Sequence, residues 1–303
     1  MTTQTSYRGR VVVGFDGSDA ARAAVDWAAA EAALRGRALM IVHAILPPVT
    51  TGGLGVGLPP SLDIIDDLEA AARDEIEQVA ATVRTENLEV DGVVRIGAPS
   101  SVMLEASEEA ALVVIGSRGH GGFKGLLLGS VGAQVAAHAG CPVAVIRHGA
   151  PEGAATVVVG IDGSAAAGAA LAFAFDEASR RGWVVHAVHA WDVPAYDLLI
   201  VPNGPVPIPL SDVADDEIRL TAEVLSGFRD DYPDVDVVES LVRAPAVQAL
   251  LDASADAAMV VVGTHGHGPA MGALLGSVSN GLLHKVTTPI VVVPPDSEPP
   301  DAA

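Results

Sequence analysis

Cysteine is nearly absent from this sequence: Cys141 stands alone, so no intramolecular disulfide can form. That suits a reducing compartment, and cytoplasmic residence is the expectation. Cys141 lies just before Pro142 at the start of an apolar strand, where a free thiol reads as buried packing. Basic residues are scarce too. Seventeen Lys and Arg stand against 38 Asp and Glu, a formal net charge of −21. With no Lys/Arg-rich run to offset it, this surface repels a phosphate backbone and anionic lipid, so nucleic acid is excluded as a partner. No apolar run approaches the roughly 20 residues that span a bilayer, so membrane insertion is excluded as well. The polar stretch Met1 to Arg10 has no apolar core of a secretory signal. There is no Gly-Lys-Ser/Thr, which disfavours a P-loop NTPase, and no Gly-x-Ser-x-Gly elbow that would make a serine a nucleophile.

What is present is duplication. Val11-Val-Val-Gly-Phe-Asp-Gly-Ser18 recurs as Val157-Val-Val-Gly-Ile-Asp-Gly-Ser164, an offset of 146. Val42-His43-Ala44 recurs as Val188-His189-Ala190, and Ala98-Pro99 as Ala244-Pro245. One residue inserted between Pro245 and Ser254 then shifts the register, so that Gly116 matches Gly263 and Gly129-Ser130 matches Gly276-Ser277. A unit this long is a duplicated domain, since solenoid repeats run about 20 to 50 residues. The expected domains are residues 1–149 and 154–295, with 296–303 a disordered acidic tail.

Within each copy, β-branched runs alternate with helical stretches, the pattern of parallel strands joined by crossover helices. The first copy reads as strands at Arg10–Phe15, Ala38–His43, Val90–Ile96, Leu112–Ile115 and Val143–Ile146. Helices are expected at Ala20–Arg35, Leu62–Thr85, Ser100–Glu108 and Ser130–Ala139. The second copy reads as strands at Thr156–Ile161, Val184–His189, Val235–Val242, Met259–Val262 and Ile290–Val293. The fold class is α/β, as two tandem doubly wound parallel sheets flanked by helices. The Pro- and Gly-rich stretches Leu46–Pro60 and Trp191–Leu210 read as long loops that cover a site or make an interface.

In such sheets ligands settle beyond the carboxyl ends of the strands, where glycines concentrate here. Gly116-Ser-Arg-Gly119 and Gly129-Ser130 are spaced as Gly263-Thr-His-Gly266 and Gly276-Ser277: Gly, two residues, Gly, nine residues, Gly, Ser. Glycine lets main-chain amides approach an anion, and a helix opening at Ser130 or Ser277 adds N–H groups and a positive dipole end. A polyphosphate fits. This spacing, together with Gly-x-Asp-Gly-Ser after the first strand, resembles the ATP-binding class of universal stress proteins, over nearly the whole chain and twice. The resemblance implies five strands per sheet in the order 3-2-1-4-5, one adenine nucleotide per domain, and a stress-response regulatory role toward a protein partner of unknown identity. It also implies pairing through sheet edges, here between the two copies within one chain, and a homodimer beyond that.

By the same resemblance the nucleotide-binding set in the first copy is Gly14, Asp16, Ala44, Gly116, Ser117, Arg118, Gly119, His120, Gly121, Gly122, Gly129, Ser130 and Val131. In the second copy it is Gly160, Asp162, Ala190, Gly263, Thr264, His265, Gly266, His267, Gly268, Gly276, Ser277 and Val278. His265 replaces Arg118, Met271 replaces Lys124 and Pro269 replaces Gly122, which removes two fixed charges and stiffens the loop, so weaker phosphate binding is expected there. Plainer roles stand beside these. Asp16 and Asp162 read either as N-caps or as carboxylates beside the ligand, facing a ribose hydroxyl or a phosphate-held Mg²⁺. Ser130 and Ser277 read as caps, and His43 and His189 as packing histidines with a satisfied ring nitrogen. His120, His265 and His267 read as phosphate contacts rather than metal ligands. No catalytic set presents itself, so any ATPase rate should be low; a slow Mg-dependent hydrolase and a scaffold with vestigial sites are the alternatives.

Overall fold

The computed structural model describes residues 6–46, 50–51, 57–58, 62–119, 128–191, 198–201, 204–207, 210–266 and 275–297. The first domain contributes β1 (Val11–Gly14), α1 (Asp19–Leu34), β2 (Leu39–Ile45), β3 (Thr50–Thr51), β4 (Gly57–Leu58), α2 (Leu62–Val83), β5 (Val90–Ile96), α3 (Pro99–Ser107), β6 (Leu112–Gly116), α4 (Ser130–His138) and β7 (Val143–Ile146). The second contributes β8 (Thr156–Ile161), α5 (Ala165–Arg181), β9 (Val184–Trp191), β10 (Leu198–Val201), β11 (Gly204–Pro207), α6 (Leu210–Asp231), β12 (Val237–Arg243), α7 (Ala246–Ala253), β13 (Met259–Gly263), α8 (Ser277–Leu283) and β14 (Ile290–Val293).

The central strands form because consecutive β-branched residues are buried on both faces. Val11 and Val13 pack into one apolar layer with Ala24, Ala28 and Ala32 of α1, while Val12 packs into the other with Val102 and Met103 of α3. Alanines on the buried side of α1 let the helix lie close to the sheet. In each domain the sheet runs in the order 3-2-1-4-5: β5-β2-β1-β6-β7 and β12-β9-β8-β13-β14. All neighbours within each five-stranded sheet are parallel. The two long connections carry more order than expected, as antiparallel hairpins β3–β4 and β10–β11.

The two sheets are one. β7 and β14 pair antiparallel, joining the domains into ten continuous strands. Ala144 stands opposite Val291, its own counterpart, so a pseudo-twofold axis passes between them. On one face that axis meets a buried ring of charge between α1 and α5. Arg35 donates to Glu31 on its own helix and to Glu177 on α5. Arg181 donates to Glu177, 2.8 Å away, and to Glu31. Both carboxylates and Arg35 are fully buried, and Asp176 and Arg180 extend the network. Away from the ring, the Arg147 guanidinium donates to the carbonyls of Leu283 and Val286, tying the end of β7 to the end of α8.

Candidate functional site at the carboxyl ends of the strands

The turn from β1 into α1 is set by Gly17, whose φ of 82° lies in the left-handed region; Gly163 repeats it at 78°. This turn settles the cap. Ser18 is the N-cap of α1, its Oγ accepting from the Ala21 amide at 3.2 Å, and Ser164 does the same for α5 with Ala167. Asp16 is therefore not the cap. Its Oδ1 accepts from the Ser18 amide at 3.1 Å and from Ser18 Oγ at 2.6 Å; Asp162 accepts from the Ser164 amide at 3.0 Å. Each carboxylate is thus held from behind, at the mouth of its sheet.

The glycine stretch after β6 folds over that carboxylate. A Cβ on Gly116 would lie 2.8 Å from the Ala20 backbone, and one on Gly119 would lie 2.2 Å from Asp16 Oδ2. The stretch is tied at several points: the Ser117 amide donates to Ile146, the Gly129 amide to the Ser117 carbonyl at 2.9 Å, and Ser18 Oγ to the Arg118 carbonyl at 3.3 Å. α4 then opens with Gly129 as its N-cap and no side-chain cap, so Ser130 is the first helical residue rather than the cap. First-turn amides without a side-chain cap face the place where an anion would sit.

Between these parts lies a cleft of about 510 Å³. All ten described members of the first-domain set line it: Gly14, Asp16, Ala44, Gly116, Ser117, Arg118, Gly119, Gly129, Ser130 and Val131. His120, Gly121 and Gly122 lie outside the described residues, as do His267 and Gly268 and the exchanged positions Lys124, Pro269 and Met271. Sequence reasoning missed the apolar wall made by Val42, Pro99, Met103, Ile115 and Leu128. A signal existed: Val42 and Ala44 share one face of β2, and Met103 follows Pro99 by one helical turn.

The second domain repeats the construction. A Cβ on Gly266 would lie 2.2 Å from Asp162 Oδ2, and one on Gly263 would lie 2.7 Å from the Ala166 backbone. The Gly276 amide donates to the Thr264 carbonyl at 2.7 Å, Ser164 Oγ reaches the His265 carbonyl at 3.4 Å, and α8 opens with Gly276 as N-cap, so Ser277 is not the cap. Gly160, Ala190 and Val278 occupy the places of Gly14, Ala44 and Val131. Thr264 Oγ1 is buried without a hydrogen-bond partner. His189 is satisfied, its Nδ1 2.8 Å from the Ile161 carbonyl, but Nδ1 of His43 is buried with no partner, against expectation. The His43 and Phe15 rings pack edgewise, with centroids 6.4 Å apart and planes at 64°. Among the described residues no group of three or more His, Cys, Asp or Glu could hold a metal ion, and no helix is long and apolar enough to cross a membrane.

Comparison with known proteins gives a consistent result. Residues 8–147 and 154–294 each match the model of the universal stress protein family. A universal stress protein of Mycolicibacterium smegmatis is 37% identical over 298 residues, 94% of this chain and 97% of that protein. Universal stress protein Rv2005c of Mycobacterium tuberculosis is 39% identical over 296 residues, 93% of this chain and 96% of the relative. In fold, the chain resembles the crystal structure of a universal stress protein from Archaeoglobus fulgidus, with a TM-score of 0.67 at 20% identity over 95% of this chain and 97% of that one.

Proposed function

This chain belongs to the universal stress protein family, and on that premise we propose that it is a stress-response regulator binding one adenine nucleotide in each domain. The observation that carries the reading is the cradle of Gly119 over Asp16, continued by the Gly129 cap of α4 and closed by an apolar wall. One end offers main-chain amides for phosphates and the other offers Val42, Ala44 and Met103 for a base. In the second domain the orphaned Thr264 hydroxyl supports the same reading, because a buried polar atom without a partner is costly unless a ligand or water meets it.

Gly119, Gly129 and Ser130 would hold phosphates, with Arg118 adding charge; Asp16 and Asp162 would meet a ribose hydroxyl or a Mg²⁺ carried by the phosphates. Bound nucleotide would supply the dense negative charge that the amides of Gly119, Gly129 and Ser130 meet. The chain's own residues orient and enclose it, and the proposed output is a change in shape read by a protein partner. A homodimer of the ten-stranded unit is part of the proposal. Nucleotide extraction from freshly purified protein, followed by calorimetry with ATP and Mg²⁺, tests the reading. Nucleotide-free protein that gives no heat with ATP would end it, and sustained turnover abolished by Asp16→Ala would replace it with a hydrolase.

A further inference from the structure

The last strand of each five-stranded sheet ends beside its own cleft, and there the two copies differ in charge. In the first, Gly116 of β6 pairs with Ile146 of β7, and the Ser117 amide donates to the Ile146 carbonyl at 2.8 Å. The next residue is Arg147. In the second, the Thr264 amide donates to the Val293 carbonyl at 2.9 Å, and the next residue is Pro294. Arg118, which lines the first cleft, is likewise exchanged for His265. Two guanidiniums thus stand at the glycine end of the first cleft, and the matching positions of the second have none.

Arg147 lies on the cleft side of the sheet. Val143 and Val145 of β7 pack in the layer that holds Ile115 and Leu128 of the cleft, and Ala144 and Ile146 pack in the other, so alternation sends residue 147 toward α4 and α8. Its guanidinium donates there to the carbonyls of Leu283 and Val286, partners without a formal charge. Among the described residues no carboxylate pairs with Arg147 or with Arg118. In a chain with 38 acidic residues against 17 basic ones, a partly buried arginine without a counter-ion stands out. A charge withdrawn from water is costly unless an opposite charge meets it. Burial, and then the nearby Arg118, hold Arg147 below the usual guanidinium range, but a guanidinium keeps its charge at neutral pH.

Resting on the reading of this cleft as a nucleotide site, we propose that Arg147 is a positioning residue of the first cleft, outside its lining, which favours a ligand bearing a chain of phosphates over a monophosphate. The phosphates are the counter-ion that the two guanidiniums lack, and a triphosphate brings them more negative charge than a monophosphate does. The support of Arg147 comes from the other domain: the carbonyls at the end of α8 hold the guanidinium in place, so the second domain completes the anion end of the first cleft. With Pro294 in the matching place, the second cleft receives no such help.

The test uses the full chain in a Gly266→Ala background, which weakens the second cleft, with calorimetric titrations of ATP and of AMP at one fixed Mg²⁺ concentration. Arg147→Met should lower ATP affinity about fivefold, the size of one partly screened charge, and leave AMP affinity unchanged. A purely structural role would move both nucleotides together. Arg147→Lys, which keeps the charge, should retain most of the preference for ATP. If the protein without substitutions binds neither nucleotide, the nucleotide reading itself falls. If it binds and Arg147→Met leaves the ratio of ATP to AMP affinity unchanged, only this proposal falls. Should Arg147→Met unfold the chain, Arg147→Gln, which removes the charge and keeps an amide donor, takes its place, and an unchanged ratio there overturns the proposal.

Discussion

A methyl group on Gly119 would stand 2.2 Å from Oδ2 of Asp16, and Gly266 bears the same relation to Asp162. The contact cannot be relieved cheaply, because Oδ1 of Asp16 is held by the amide and hydroxyl of Ser18. Gly119→Ala must push the carboxylate off Ser18 or lift the loop away from it. ATP affinity in the first domain is expected to drop at least about tenfold. Asp16 is solvent-exposed, so the melting temperature should move little. Calorimetry and a thermal melt on the same sample check both halves.

In the ring, Glu31, Arg35 and Glu177 are closed to water while Arg181 keeps a partly exposed edge, so removing the Arg35 charge leaves buried carboxylates stranded. Arg35→Met should destabilise the protein by about 3–5 kcal/mol. Adding Glu177→Leu, which removes the opposite charge, should recover most of that loss. Urea unfolding of the single and double variants measures the difference.

The two carboxyls of that ring shift in opposite directions. Burial and the neighbouring Glu31 push Glu177 up to about 7, although Arg35 and Arg181 oppose this. Burial also acts to raise Glu31, but Arg35 and Arg181 outweigh it and hold Glu31 below its usual range. Such a pair titrates as one unit, keeping a single proton toward neutrality. The unfolded chain gives up that proton near 4.5 while the fold keeps it to about 7, so stability falls as pH rises through that window. The slope is about 1.4 kcal/mol per pH unit for one proton. Arg180, Asp176 and Arg37 also face the cluster, so the clean readout is the difference between wild type and Glu177→Gln, which should remove this component between pH 5 and 7.

Burial raises the Cys141 thiol to about 12, leaving almost no thiolate at neutral pH. A thiol reagent should react with native protein only as fast as it opens, and at once in denaturant. Rapid modification of the native fold would contradict the burial of Cys141, two residues before β7, in the apolar layer with Val135 and Val143.

Strands were legible where both faces are buried: Val143–Ile146, Thr156–Ile161 and Ile290–Val293 have the expected bounds, because β-branched runs ended by polar or glycine punctuation allow little else. The edge strand Val90–Ile96, exposed along much of its length, also has the expected bounds. β2 and β9 run two residues further than expected, to Ile45 and Trp191, since their edge neighbours continue to pair with them. The hairpins escaped notice because β11 contains Pro205 and Pro207, which argue against strand locally. The glycine half of the cleft could be read from spacing, whereas its apolar half could not, since Val42 and Met103 look like ordinary core. Glu31 and Arg35 stand one helical turn apart, a spacing that does not by itself tell buried from exposed; what buries them is a helix 146 residues away. Asp16 and Ser18 are both good caps by type, and only the backbone turn at Gly17 chose between them.

Because β14 runs against β7, the five parallel strands of one domain's share of the sheet point opposite to the five of the other. The carboxyl ends that carry Asp16 and Asp162 therefore emerge on opposite rims of the same slab. On the proposed reading, a partner that senses a ligand at one rim would approach from the side opposite to a partner that senses the other.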